Sequence, residues 1–251
     1  MSPELELACR AAREAGALLR SNFETDLDVD ALHAHDIKLA LDVASQKLIE
    51  GLILATFPGH AIYGEEGIAG DQTSDTQWIV DPIDGTVNYY YGIPHFCVSI
   101  AMRHEGEMKI GAIYDPMMDE LFAVDFEGSA TRNGKPIRPS HRASLGEAIV
   151  TVGFSKSAEA IDSGLARYKR IAHRVRKTRM MGSAALALAY IACGRLDAYI
   201  EESISLWDIA AGQLLLERGG GKVVLIPSEK NPDKSSILSS NGRLPLDGII
   251  E

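Results

Sequence analysis

Three short acidic stretches carry residue types suited to holding a hard divalent cation. The first is Gly64-Glu65-Glu66-Gly67, two adjacent carboxylates between glycines that let the backbone turn sharply. One acid can point inward at a cation while the other stays in solvent, although the string alone also fits a solvated acidic turn. The second, Trp78-Ile79-Val80-Asp81-Pro82-Ile83-Asp84-Gly85-Thr86, says more. A buried strand over 78–80 breaks at Asp81-Pro82, the proline stiffens the turn, and Asp84 follows three residues after Asp81, so both carboxylates can face one point. Mg²⁺ takes oxygen ligands, keeps several waters and is held by one or two carboxylates plus substrate phosphate, so this pair leaves room for substrate. Gly85 and Thr86 then open a helix whose N–H groups and positive dipole end suit a phosphate, and the Thr86 hydroxyl can orient a water. An Asp-Pro turn with an Asx cap and no metal is the alternative. The third stretch is Trp207-Asp208-Ile209-Ala210-Ala211-Gly212. Asp208 reads as a helix N-cap, and the small residues after it permit close approach of another backbone or a ligand. A carboxylate has enough lone pairs to cap and ligate at once.

The elements that must position these acids alternate between helical and strand patterns along the whole chain, with no repeat and no low-complexity linker. Ser2-Pro3 starts a first helix in which Leu5, Ala8, Ala12, Ala15 and Leu19 recur at helical spacing. A second helix runs from about Asp42 to Phe57 and is stopped by Pro58-Gly59; Ala61 to Tyr63 is a short strand leading into the first acidic turn. Cys97–Met102 and Met108–Tyr114 form a hairpin around residues 104–107. Ser183 to Cys193 suits a buried helix ended by Gly194, and the helix begun at Asp208 stops at Gly219-Gly220-Gly221 before a strand over 222–226. Lacking a hinge, residues 1–251 are expected to form one layered unit, with a strand-rich half to about 145 and an α/β half from about 146.

Composition narrows the classes of function. The 251 residues carry a formal net charge of −10, which repels nucleic acid and anionic lipid, so neither is an expected partner. No run approaches the roughly 18 apolar residues of a membrane span. Charged residues interrupt the first twenty positions where a signal peptide needs an apolar stretch, so a soluble, cytoplasmic protein is expected. Cys9, Cys97 and Cys193 have no metal-ligand or disulfide spacing and read as small buried residues.

In this order and at these separations, Gly64-Glu65-Glu66, Asp81-Pro82-Ile83-Asp84-Gly85-Thr86 and Trp207-Asp208-Ile209-Ala210-Ala211-Gly212 resemble the signature motifs of the inositol monophosphatase family. The likeness extends through Asn88-Tyr89, Gly92-Ile93-Pro94-His95-Phe96 and Gly182-Ser183-Ala184-Ala185 to Gly219-Gly220-Gly221, and so covers essentially the whole chain. The resemblance implies a layered αβαβα sandwich, usually dimeric, that hydrolyses small phosphate monoesters with two or three Mg²⁺ ions and is often inhibited by Li⁺. It implies Glu65, Asp81, Asp84, Asp208 and the Ile83 carbonyl as metal ligands, and Asp42 with Thr86 as the pair that activates the attacking water. For substrate it implies the N–H groups of Gly85 and Thr86, with Glu201 on the substrate hydroxyls and Gly182, Ser183 and Ala184 nearby; Asp208 belongs to this set as well. Beside Glu202, Glu201 also fits a plain surface acid. One departure stands out. The stretch before Asp42 reads Asp36-Ile37-Lys38-Leu39-Ala40-Leu41, without the family's threonine, and Ala31 and Leu32 stand where a lysine is common; Lys38 can simply point to water.

The physical problem such a site solves is repulsion. A phosphate dianion approaching four carboxylates meets about 4 kcal/mol per unit-charge pair at 4 Å with an effective dielectric of 20, and divalent cations reverse the sign. His33, His35, His95 and His104 are scattered and read as surface or packing residues, so no histidine nucleophile competes with water. Asp84→Asn is expected to abolish metal-dependent turnover with the fold intact. Seven cations between Arg167 and Arg179 (Arg167, Lys169, Arg170, Arg174, Arg176, Lys177, Arg179) form either a solvated or dimer-contact face or the rim of a second phosphate site. The leading function is therefore a Mg²⁺-dependent phosphomonoesterase on inositol phosphate. Histidinol phosphate, fructose bisphosphate and adenosine bisphosphate are alternative substrates, and a metal-binding regulatory or RNA-associated module is the non-enzymatic alternative. The ligands are too dispersed for a contiguous Ca²⁺ loop.

Overall fold

A computed structural model describes residues 1–25, 27, 29–33, 36–154, 158–229, 231 and 234–245. In chain order these form α1 (Pro3–Ser21), β1 (Val29–His33), β2 (Asp36–Leu39), α2 (Ala40–Thr56), β3 (Ala61–Gly64), β4 (Gly67–Gly70), β5 (Thr76–Asp84) and α3 (Thr86–Tyr90). There follow β6 (Cys97–His104), β7 (Glu107–Asp115), β8 (Glu120–Asp125), β9 (Thr131–Arg132), β10 (Lys135–Pro136) and β11 (Ile149–Val152). The chain continues through α4 (Ala158–Ala172), β12 (Lys177–Arg179), α5 (Ala184–Ala192), β13 (Ala198–Ser205), α6 (Leu206–Gly219), β14 (Lys222–Pro227) and β15 (Lys234–Ser240). The hairpin of β1 and β2 ahead of α2 has no counterpart in the periodicity of the sequence.

Beside the two-stranded β1–β2 hairpin, the described residues form two larger sheets that are covered and separated by helices. One has eight strands in the order β10-β9-β8-β7-β6-β5-β3-β4, the other five in the order β12-β11-β13-β15-β14. Ser2 caps α1, and its Leu5, Ala8, Ala12, Ala15 and Leu19 pack with α2 residues Ile49 and Ile53 on one face of the larger sheet. The other face shares a core with α5, α6 and one face of the smaller sheet, whose outer face carries Ile171 of α4. The layers run helix, sheet, helix, sheet, helix, the αβαβα sandwich that the family resemblance implies.

Strand alternation decides which side the acids face. Along β5, Trp78 and Val80 enter the core beneath α1 and α2, while Ile79 enters the core beneath α5 and α6. Asp81 therefore faces α5 and α6. The strand does not break at Pro82; it runs on to Asp84 with a bulge between Asp81 and Asp84, whose partners on β6 are Ser99 and Cys97. Those partners are two apart and share a face, so the extra residue returns Asp84 to the side of Asp81. An unbulged strand would put it on the opposite side.

The small residues of α6 serve packing. Helix α6 crosses β7 so closely that a Cβ on Gly111 would lie 2.9 Å from the Ala211 carbonyl oxygen, and a Cβ on Gly212 would strike Leu188 of α5. Gly111→Ala is expected to destabilise the fold by about 1–3 kcal/mol, because the atom it meets is backbone and cannot swing aside. A fall in the urea midpoint at unchanged m-value checks this; an unchanged midpoint would mean that α6 can slide.

Candidate active site

The acids meet where a strand end and two helix starts converge. Carboxylate oxygens of Asp81, Asp84 and Asp208 lie within 4.8 Å of one another. Glu65 hydrogen-bonds Asp81 at the edge of this group, placed there because β3 and β5 are parallel and the Glu65 N–H donates to the Val80 carbonyl (3.1 Å). Asp208 is not the N-cap of α6 as its sequence position suggests: the helix starts two residues earlier, Ser205 is the cap, and Asp208 in the first turn accepts from the Ser205 N–H (2.9 Å). Asp81 accepts from the Ile83 N–H (3.0 Å).

Asp84 is held by the start of α5. Its carboxylate accepts from the Ser183 hydroxyl (2.5 Å) and from the N–H groups of Ala184 (3.2 Å) and Ala185 (2.7 Å). The polar atoms of Ser183 and Ala184, expected near substrate, are thus directed at an acid, which makes them positioning groups. This also changes the expectation for Asp84→Asn. One amide oxygen cannot serve donors that now use both carboxylate oxygens, so that variant loses stability, by about 1–3 kcal/mol, along with any ligand.

Asp42, in the first turn of α2, accepts from the Leu39 N–H (2.8 Å). The Thr86 hydroxyl lies 3.4 Å from Asp42 and 2.9 Å from the Ile83 carbonyl. That carbonyl keeps a second lone pair for a ligand. Gly85 takes a left-handed φ of 102° just before α3. With five residues, α3 has little dipole, so what residues 85 and 86 offer an anion is backbone N–H rather than a macrodipole.

The first acidic turn is sorted differently from the expectation. Glu66 is not in solvent: its side chain is only 6% exposed and pairs with Lys38, which does not point to water alone. Gln46 of α2, one turn beyond Asp42, fixes the turn by accepting from the Glu66 N–H (2.9 Å) and donating to the Gly67 carbonyl (3.1 Å). A Cβ on Gly64 would fall 2.2 Å from Gln46 Oε1. Asn88 ties the two loops of the mouth together, donating to the carbonyls of His95 (2.8 Å) and Met181 (2.9 Å). Asn88 was named in the sequence only as part of the family resemblance and Gln46 not at all, though the four-residue spacing of Asp42 and Gln46 on one helix face is a usable signal.

These residues open on a cavity of about 870 Å³, lined by Asp42, Glu65, Glu66, Asp81, Asp84, Glu201 and Asp208 and by two cations, Lys38 and Lys234. Glu201 is a cavity residue and not a surface acid: it accepts from the Tyr199 hydroxyl (2.5 Å) and fits only because Gly153 has no Cβ, which would lie 1.6 Å from its oxygen. Gly85, Thr86, Gly182, Ser183 and Ala184 also line the space. None of the seven cations at 167–179 does; Arg167 pairs with Glu202, and Lys177–Arg179 is the edge strand of the smaller sheet. His95 is half-buried with its ring edge-on to Tyr190 and His104 bonds Thr76, and neither lines the cavity; His33 lies on β1 and His35 lies outside the described residues.

Burial and mutual repulsion leave the cluster short of positive charge. Burial pushes Asp42 up to about 7 against the pull of the Leu39 N–H. Burial and then Asp208 push Glu65 up to about 8 and Asp84 up to about 7, the latter despite its donors on α5. Burial and then Glu65 and Asp84 hold Asp81 well above the carboxylate range, and burial takes Glu201 to about 7. An all-oxygen donor set with no sulfur or imidazole, kept partly protonated for want of a counter-charge, suits a hard divalent cation.

Comparison with known proteins agrees. The sequence profile described as "Inositol monophosphatase family" matches residues 1–250. The chain is 40% identical to "Nus factor SuhB" of Pasteurella multocida over 89% of this chain and 85% of that one. It is 36% identical to "Inositol monophosphatase 2" of Solanum lycopersicum over 97% and 96%. The solved inositol monophosphatase from Anabaena (Nostoc) superposes with a TM-score of 0.84 at 38% identity, over 98% of this chain and 92% of that one. Among the described residues no helix is long and apolar enough to cross a membrane. With its layers, its acid cluster and its matched length in accord, the chain belongs to the inositol monophosphatase family, whose membership supports a metal-dependent phosphatase.

Proposed function

We propose that this chain hydrolyses a small phosphate monoester, inositol monophosphate in the leading reading, by attack of water on phosphorus with Mg²⁺ present. The observation that carries the reading is the convergence of Asp81, Asp84 and Asp208 within 4.8 Å on one wall of the cavity. Glu65, Asp81, Asp84, Asp208 and the Ile83 carbonyl would hold two or three ions. When bound, Mg²⁺ supplies charge neutralisation, a polarised phosphate and a more acidic water. The chain supplies the rest. Thr86 accepts a hydrogen bond from the attacking water and turns its own hydroxyl from the Ile83 carbonyl to Asp42, which takes the proton. Gly85 and Thr86 N–H groups face the phosphate, and Glu201 accepts from leaving-group hydroxyls.

A second reading, in which the fold serves in an assembly as the name of the Pasteurella relative suggests, is favoured by the exposed cations of α4 and β12, which lie apart from the cavity. Turnover separates the two. Purified protein with Mg²⁺ is expected to release phosphate from inositol monophosphate and to stop with chelator. Asp208→Asn, which keeps an acceptor for the Ser205 N–H and removes one repelling charge, should lower kcat at least 100-fold while the melting temperature of the metal-free protein does not fall. Wild-type protein that releases no phosphate from any monoester would leave only the second reading.

Stability should depend on pH in a definite direction. Burial and mutual repulsion hold Asp42, Glu65 and Asp84 at about 7 to 8 in the folded state, against ordinary carboxyl values of 3.8 to 4.5. Between those limits the folded state binds more protons than the unfolded, so metal-free stability falls as pH rises from about 4 to about 8. Each proton so retained costs about 1.4 kcal/mol per pH unit, or roughly 3–6 °C in melting temperature. Thermal scans are expected to show Tm falling from pH 5 to pH 8, with added Mg²⁺ recovering more at pH 8 than at pH 5. Equal recovery at both would mean that the metal does not bind these carboxylates.

A further inference from the structure

The two cations on the cavity wall differ in what holds them. Lys38 is neutralised by Glu66. Lys234, the first residue of β15, donates to the Ser205 hydroxyl and lies over the Trp207 ring, 5.8 Å from its centroid; both partners are neutral. An ammonium has three donors, so Lys234 retains hydrogen-bonding capacity beyond Ser205. The Ser205 N–H donates to Asp208, which puts Lys234 two hydrogen bonds away from the acid cluster. The same wall continues through Ser203 and Glu201, and its backbone is irregular there: a bulge separates Glu201 from Ile204, and Ser203 takes a φ of 59°. A left-handed serine in a strand is disfavoured and persists where its surroundings impose it, as they do at ligand sites.

Resting on the phosphomonoesterase reading above, we infer that this wall is the leaving-group subsite and that Lys234 reads a second anionic group, a carboxylate or another phosphate, carried on the alcohol side of the substrate. A neutral polyol would find partners in Glu201 and Ser203 and bring the ammonium no charge partner beyond the field of Glu201. A second anion answers it with a charge-assisted hydrogen bond. The cations of residues 167–179 cannot do this from outside the cavity.

The test uses two matched pairs. Glycerol 2-phosphate and 2-phosphoglycerate differ by a hydroxymethyl against a carboxylate; fructose 1-phosphate and fructose 1,6-bisphosphate differ by a hydroxyl against a phosphate. The full-length enzyme with Mg²⁺ is expected to favour the acidic member of at least one pair by about tenfold in kcat/KM, and the pair that shows it names the anion. Lys234→Met should erase that ratio through KM, and Lys234→Arg should keep it. Equal efficiency within both pairs overturns the subsite while leaving the phosphatase reading in place. So does a Lys234→Met variant that slows acidic and neutral members alike, since Lys234 would then touch the transferred phosphate or serve only stability. Absence of phosphate release from all four compounds overturns the subsite where inositol monophosphate is still hydrolysed, and overturns the phosphatase reading itself where inositol monophosphate is not hydrolysed either.

Discussion

Carboxylates forced together out of water set the terms for the rest of this molecule. Two like charges at 4 Å repel by about 4 kcal/mol at an effective dielectric of 20, and Asp81, Asp84 and Asp208 sit within 4.8 Å with Glu65 bonded to Asp81. Such a group opens unless its backbone is fixed from several sides. Here the parallel pairing of β3 with β5 fixes Glu65, the bulge of β5 fixes Asp84 relative to Asp81, and the first turn of α6 fixes Asp208. The donors at the start of α5 then oppose part of the charge on Asp84. Protonation relieves what is left, and a divalent cation would relieve it better.

The Lys38–Glu66 pair shows how the chain limits the cluster. The turn 64–67 brings two acids to the cavity, and a fifth full charge would add repulsion without adding a ligand. Pairing with Lys38 removes Glu66 from that sum, and Gln46 holds its backbone in place. The sequence departs from the family pattern at this segment, with Lys38 and Leu39 ahead of Asp42. Leu39 cannot cap α2 with its side chain, so Asp42 accepts from the Leu39 N–H and stabilises the helix start that also presents it to Thr86. One carboxylate carries both tasks because its two oxygens point to different partners.

Regular elements were legible in the sequence because their periods are local. The capped start of α1, the stop of α2 at Pro58-Gly59, the hairpin of β6 and β7 and the ends of α5 and α6 all stand close to where spacing, proline and glycine put them. The acids of the site were legible too, as residue types beside turns. The relation between them was not. Pro82 reads as a strand break because proline lacks a donor, yet it stays within β5, where a bulge already interrupts the ladder. Asp208 reads as a cap because a helix follows it, yet Ser205 three residues earlier takes that place. Glu66 and Lys38 are remote in sequence, so no pattern announces their pairing.

Several irregular positions share one location. The bulge between Asp81 and Asp84, the bulge between Glu201 and Ile204, the left-handed Ser203 and the positive φ of Gly85 and Gly182 all lie on one cavity. A strand of period two cannot aim two side chains three residues apart at one point, and a helix cannot receive a foreign carboxylate unless its first N–H groups are left open. Breaking the period is therefore the means by which this sandwich gathers side chains from β5, β13, α5 and α6. The same breaks defeat sequence reading, because a bulge is a property of the strand pair and no single strand records it. The periodic stretches of the sequence build the layers, and the departures from period build the site between them.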